Sequence, residues 1–321
     1  MRRAIAALIL AAACWTAIWW RPALPPPPDA DLTIEARPVA FAEGEAIGPF
    51  RITGAWHLVG SEPGFDSLSA LAILPDGRFF AVGDRSYWFR FPRPGRPGAV
   101  ELGGISVDHS WGKALMGDSE SVVFDAPTGR WWTSFENYRA IMRADPDGRN
   151  VYVVPAMMRE WDVNQGAETL VRLSDGRFIT VAEGVSAGRD HTHAGLIFAS
   201  DPLESGDPMP FHLAMPRGVK PVDGALLPDG RVLILGRDFG LGGFVTTLAI
   251  ADPAELKIGA VWHAREIARL RDWRLADNYE GVAVENGGHG KTVIWLVSDD
   301  NQAKVLQRTM LLRMEAPEGA L

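Results

Sequence analysis

The sequence predicts an all-β protein, a β-propeller of five four-stranded blades in which an early strand closes the last blade. Three observations carry this expectation. One pattern occurs five times: an apolar run, a turn rich in Asp, Asn or Gly, a second apolar run, then a polar cluster. The units begin near residues 68, 119, 167, 222 and 279, a spacing of about 53 residues that suits a propeller blade with generous loops. Gly and Pro number 34 and 23, and no long amphipathic helix pattern appears, so turns and short strands dominate.

The chain opens with Arg2 and Arg3, then an uncharged stretch from Ala4 to Trp20, Arg21 and the run Pro25 to Pro28. A basic start before an apolar run reads as a secretory signal or a membrane anchor. The positive-inside rule keeps the two arginines in the cytoplasm and sends the body of the chain out of it. An uncleaved anchor over residues 4–20, a cleaved signal and a lipoprotein attached at Cys14 are the three readings. The proline tract makes a stiff spacer because proline removes backbone donors and favours extended chain. The division expected is residues 1–30 as address and spacer and 31–321 as the propeller, a periplasmic or extracellular monomer.

The first hairpin, Leu68 to Arg85, reads LSALAILPDGRFFAVGDR, and the second, Ser119 to Asn137, reads SESVVFDAPTGRWWTSFEN. The third, Ala167 to Gly184, is AETLVRLSDGRFITVAEG, and the fourth, Val222 to Asp238, is VDGALLPDGRVLILGRD. The fifth runs from Tyr279 to Asn301 as YEGVAVENGGHGKTVIWLVSDDN. Asp-Gly and Asn-Gly between β-prone runs signal hairpins because glycine accepts positive φ. Further runs supply outer strands: Tyr87–Pro92 and 100–107 in the first unit, Ala140–Ala144 and 151–155 in the second, and Val245–Ala251 and 258–264 in the fourth. The segment 264–270 reads as a short helix. The fifth unit has only 307–315, so Phe50–Val59 is expected to complete it and close the ring, which removes exposed sheet edges. A sixth blade would need more strands from residues 31–60, and a β-sandwich with chance hairpins is the remaining alternative.

Acidic and amide side chains flank each hairpin at one end. Asp66, Glu120, Glu168, Asp223 and Glu280 precede the first strands; Asp84 with Arg85, Glu136 with Asn137, Glu183, Arg237 with Asp238, and Asp299 with Asp300 and Asn301 come after the second. If these are the innermost strands, the groups converge on one mouth of the channel. Clustered carboxylates repel unless cations or arginines compensate. Oxygen-rich sets suit a hard cation such as Ca²⁺, with Glu120, Glu168, Asp223, Glu280, Asp84, Glu136, Glu183 and Asp299 as candidate ligands. Arg85 and Arg237 can hold an anionic oxygen. The plainer alternative is that each acid caps a turn within its own blade.

The segments LSALAILPDGRFFAVGDR, DSESVVF, ETLVRLSDGR, VDGALLPDGRVLIL, NYEGVAV and WLVSDDN resemble the recurring blocks of the phytase-like (esterase-like activity of phytase) family, over about residues 65–301. The resemblance implies a propeller and hydrolysis of an ester or phosphoester. Phytase propellers bind several calcium ions beside basic phosphate ligands; the matched blocks here hold fewer basic residues.

Other motifs fit less well. Gly184-Val185-Ser186-Ala187-Gly188 matches the nucleophile elbow, which needs a helix after the serine, yet a β-like run comes next. His191 and His193 are two apart and suit either a transition metal or a loop contact. Trp131, Trp132 and Trp295 read as blade packing, while Trp56, Trp88, Trp111 and Trp161 lie near strand ends.

The net charge of −8 argues against nucleic acid as a partner. A single cysteine, Cys14, rules out an intramolecular disulfide. The function expected is a Ca²⁺-dependent hydrolase of a small ester or phosphoester, with Glu120 or Glu280 activating water and Arg85 or Arg237 stabilising negative charge. A lactonase of the gluconolactonase or paraoxonase type and a non-catalytic binding or scaffold propeller are the alternatives, since fold alone does not choose among them.

Overall fold

The computed structural model describes residues 32–321 except 110–111, 163–164, 187–190, 241–242, 273 and 302–306. The expected signal or anchor over residues 4–20 lies outside the described residues. Among these, no helix is long and apolar enough to cross a membrane.

Five antiparallel sheets radiate as blades. Blade 1 is Leu68–Ile73, Phe79–Gly83, Tyr87–Phe91 and Glu101–Gly104. Blade 2 is Ser119–Asp125, Arg130–Phe135, Ala140–Ala144 and Asn150–Val153. Blade 3 is Ala167–Arg172, Phe178–Val185, Thr192–Phe198 and Met209–Ala214. Blade 4 is Lys220–Leu226, Val232–Gly240, Gly243–Ala251 and Arg265–Leu270. Blade 5 starts with Tyr279–Asn286, Thr292–Ser298 and Met310–Ala316. The innermost strands touch in the closed order 1-2-3-4-5-1.

The ring closes as expected. Phe50–Gly60 pairs antiparallel with Met310–Ala316, in the register Met310 to His57 through Glu315 to Arg51. Ile34–Pro38 and Ala46–Ile47 also pair with Phe50–Gly60. The early segment therefore thickens blade 5 instead of founding a sixth blade, and it covers the outer edge of Met310–Ala316.

The turns explain the hairpins. Gly77 and Gly176 have φ of 84° and 90°, conformations that side chains avoid. In the same turns, the Arg78 and Arg177 N–H groups donate to the carboxylates of Asp76 and Asp175 at 2.9 and 3.1 Å. Both faces of each blade pack on neighbours, so Phe79–Gly83 and Ala140–Ala144 are buried at every position and lack polar alternation. Phe79 of blade 1 meets Trp295 of blade 5 edge-on at 4.9 Å. Trp131, Trp132 and Trp295 are buried in the blades.

Three local expectations change. The segment 258–264 does not complete blade 4. Val261–His263 instead pairs in parallel with Met209–Ala214 of blade 3, where buried Trp262 packs on Phe211. The fourth strand of blade 4 is Arg265–Leu270, read from sequence as a helix; pairing with Gly243–Ala251 overrides its local propensity. The run 100–107 divides into Glu101–Gly104 of blade 1 and Ser106–His109, which forms a separate hairpin with Gly112–Leu115.

The channel is narrow. A Cβ on Gly281 would lie 2.9 Å from the Ala70 Cα, and one on Gly224 would lie 2.9 Å from methyls of Thr169 and Val171. At the end opposite the acidic mouth, Leu71, Val122, Phe124, Val171, Leu226 and Val284 help to line a cavity of about 450 Å³.

Candidate functional site

Each innermost strand carries a β-bulge near its start, where the register slips by one residue. A bulge leaves one residue unpaired and re-aims its side chain. The unpaired residues are Ser69, Glu120, Glu168, Val222 and Glu280 in blades 1 to 5. Two residues earlier stand Ser67, Asp118, Gly166, Lys220 and Asn278. Across the hairpin, after or late in the second strands, stand Asp84, Glu136, Glu183, Arg237 and Asp299. In four blades the backbone ties the last two sets together: Asp84 N–H donates to Ser67, Glu136 to Asp118, Glu183 to Gly166 and Asp299 to Asn278, at 2.9–3.2 Å.

The bulges correct the alignment of two acids. Asp66 lies three residues before Ser69 and belongs to a side pocket with His57, Glu62 and Asp300. Asp223 comes after its bulge and sits one step deeper than Glu120, Glu168 and Glu280. It is 2% exposed. Its Oδ1 accepts the Ser121 hydroxyl of blade 2 at 2.6 Å, and its Oδ2 accepts the Val282 N–H of blade 5 at 2.8 Å. Burial pushes its carboxyl well above the ordinary range, against the pull of these hydrogen bonds. Asp223 is thus a cross-channel strut beneath the mouth.

The remaining acids interact across the mouth. Asp118, Glu120 and Glu136 each place a carboxylate oxygen within 4.8 Å of the others. Burial, then repulsion from Glu168, Asp84, Asp118 and Glu280, pushes Glu120 well above its usual value. Burial and the charges of Glu136, Glu183 and Glu280 do the same to Glu168. Burial, with Asp118 next, pushes Glu136 up to about 7, although the Gly166 N–H donates to its carboxylate at 3.2 Å. Burial likewise raises Asp299, which feels Glu280 and Asp84. The Ser69 hydroxyl donates to Asp84 at 2.6 Å.

Blade 4 breaks the pattern and supplies compensating charge. It has Val222 where three blades have Glu, Arg237 where the others have acids, and Lys220 two residues before the bulge. Arg237 Nη1 donates to Asn278 Oδ1 at 2.6 Å and to Glu280 Oε1, and its Nη2 donates to Glu183 Oε1 at 3.0 Å. Lys220 holds the other Glu183 oxygen at 3.0 Å. Burial pulls the Arg237 guanidinium down, but Glu280, Glu183 and Glu168 outweigh it and hold it above its ordinary value. One arc of the mouth is therefore paired with cations, while the arc of Asp118, Glu120, Glu136 and Glu168 is strongly acidic. Its donors are hard carboxylate oxygens, which fit Ca²⁺. Arg85 stands next to Asp84 and is half-buried.

Sequence reasoning missed Asp118 and Asn278. Their signal was the spacing Asp118-x-Glu120 and Asn278-x-Glu280. Ser186 Oγ lies 3.3 Å from His212 Nδ1, but a strand, Thr192–Phe198, comes after the motif instead of the helix an elbow requires; 187–188 lie outside the described residues. His193 is buried with Nδ1 2.9 Å from the Glu183 carbonyl oxygen, and His191 sits in a turn at φ 63°. Burial lowers the His193 pKa. Trp56 stacks on Trp295, and Trp111 lies outside the described residues.

A family model for the esterase-like activity of phytase matches residues 63–302, a span holding all five bulges and every mouth acid. The chain belongs to the phytase-like family. No curated protein matches it in sequence. Among solved structures, this phytase-like propeller is similar to a protein provisionally named a gluconolactonase, at 12% identity and TM-score 0.48 over 90% of this chain and 93% of that one. It is also similar to virginiamycin B lyase from Staphylococcus aureus, at 11% identity and TM-score 0.43 over 88% and 99% of the two chains.

Proposed function

We propose that this propeller is an exported hydrolase of a small ester or phosphoester, acting at the acidic mouth with a divalent cation, Ca²⁺ by donor chemistry. The observation that carries this reading is the closeness of Asp118, Glu120 and Glu136, three carboxylates that repel one another unless a proton or cation joins them. These three would hold the ion, with Glu168 beside them. Bound there, a cation supplies polarisation of the scissile group and a lower pKa for water.

The chain's own groups supply the rest. Glu280 Oε1 accepts from Asn278 Nδ2 at 2.7 Å and from Arg237, which orients the carboxylate and leaves Oε2 to take a proton from water. Burial raises the Glu280 pKa, which makes it a stronger base than an exposed carboxylate. Arg237 keeps further N–H groups for negative charge developing on the substrate, and Arg85 is the second such group, beside Asp84.

The test is a calcium titration followed by melting, combined with a panel of ester and phosphoester substrates. Calcium should raise the melting temperature by mass action and support turnover, and Glu120→Gln should lose both effects. Unchanged melting across a wide calcium range, with full activity in Glu120→Gln and Glu280→Gln, would overturn the proposal. Calcium stabilisation without turnover of any substrate would leave a cation-binding propeller with no hydrolase activity.

A further inference from the structure

Blades 3 and 4 carry their second strands past the acidic mouth, blade 3 two residues beyond Glu183, and blade 4 goes furthest. In blades 1, 2 and 5 the second strand stops at Gly83, Phe135 and Ser298, just short of the mouth position. In blade 4 the strand Val232–Gly240 runs through Arg237 and three residues beyond it. At about 3.3 Å per residue the hairpin rises about 10 Å past the ring of acids. Near its tip Phe239 pairs with Phe244 across the strands, ring centroids 4.8 Å apart. Phe239 is 68% exposed, the most exposed of the large apolar side chains among the described residues, ahead of Ile258 at 58%.

The two rings border a cleft of about 400 Å³ whose other walls include Glu183, Lys220, Arg237 and Asp238. Arg237 and Glu183 belong to both the cleft and the mouth, so a molecule whose reacting group reaches Arg237 extends its remainder along Phe239 and Phe244. The volume lies at the small end of the usual range for ligand sites, about 300–1,000 Å³. That suits one six-membered ring or a short acyl chain.

We infer that the blade 4 hairpin is the specificity wall of the site, and that the substrate joins its ester or phosphoester group to a compact apolar moiety, aryl or short acyl, seated on Phe239 and Phe244. This rests on the hydrolase reading of the mouth. The walls argue against a polyphosphate. Both cations at the cleft are bound to acids, Lys220 to Glu183 and Arg237 to Glu183 and Glu280, and Asp238 adds a further negative charge. A densely anionic ligand would find both cations already paired and Glu183 and Asp238 in the walls, whereas an aromatic face offers dispersion and edge contacts to an apolar group.

Binding separates this inference from the hydrolase reading. Phenylphosphonate and methylphosphonate, neither hydrolysable, are titrated calorimetrically into the full chain with calcium present. The phenyl compound should bind about tenfold more tightly, the scale of one favourable aromatic contact. Phe239→Ala should erase most of that preference while melting as the parent does, and Phe239→Trp should retain it. Equal binding of the two phosphonates, no binding of either, or a preference untouched in Phe239→Ala and Phe244→Ala would overturn the assignment. A preference that depends on Phe239, in a protein that turns over no ester or phosphoester, would uphold the cleft and reject the hydrolase reading.

Discussion

Replacing Asp223 tests whether the channel strut holds the blades together. In Asp223→Ala two donors lose their acceptor, the Ser121 hydroxyl and the Val282 N–H. A buried donor left unsatisfied costs about 1 to 3 kcal/mol, so the pair sets a range of about 2 to 6 kcal/mol. The lower half is expected, because Ser121 can turn its proton to the Leu170 carbonyl, 3.4 Å away. Asp223→Asn keeps an acceptor for Val282 and offers its amide N–H to Ser121, so it should cost less than about 1 kcal/mol. The two variants also separate by pH. A carboxyl whose pKa is raised by folding binds its proton more tightly in the folded state. Its contribution to stability is complete below the unfolded value, about pH 4, and is lost as pH climbs through the folded value. The wild type should therefore lose stability relative to Asp223→Asn as pH rises above the ordinary carboxylate range, about 4. Urea unfolding followed by tryptophan fluorescence at several pH values measures both effects. Stability of Asp223→Ala within about 0.5 kcal/mol of the parent would refute the strut. So would a parallel pH course for wild type and Asp223→Asn.

Two further outcomes are expected. Because burial and Asp118 push Glu136 up to about 7, a proton competes with the cation below that pH. Apparent calcium affinity should then fall about tenfold per pH unit from about 7 to about 5, more steeply if Glu120 also takes up a proton, and Glu136→Gln should bind more weakly with a shallower slope; calorimetric titration showing one affinity from about pH 5 to about pH 8 would contradict this. The basic start and apolar run predict that a C-terminal alkaline phosphatase fusion is active and a C-terminal fusion to a reporter that works only in the cytoplasm is not; the reverse pattern would place the propeller in the cytoplasm.

Much of the site was legible because a propeller repeats its local chemistry. Glycine turns, Asp-Gly in blades 1, 3 and 4, Thr-Gly in blade 2 and Asn-Gly in blade 5, marked where each hairpin reverses, so Glu120, Glu168 and Glu280 could be placed at equivalent strand starts and Asp84, Glu136, Glu183 and Asp299 opposite them. Asp223 was misaligned with that set because the blade 4 bulge falls at Val222, one residue earlier, and no residue type announces a bulge; Asp66 precedes its strand and lies outside the repeated positions. Asp118 went unread because its value lies in two neighbours from other parts of the hairpin, Glu120 and Glu136.

By itself, then, the sequence determined the five hairpins, the closing role of Phe50–Gly60 and the acid-rich strand ends, because turn chemistry and apolar runs act within a few residues. Tertiary structure decided what depends on distant partners. Val261–His263 joined blade 3 because Met209–Ala214 offered an edge, and Arg265–Leu270 became a strand because Gly243–Ala251 stood beside it. It also decided how charge is distributed around the mouth. Arg237, 43 positions from Glu280 and 54 from Glu183 along the chain, binds both, while Asp118, Glu120 and Glu136 crowd their carboxylates against one another. Charge compensation acts through space over a few ångströms, and only the closed ring of blades brings those groups within that range.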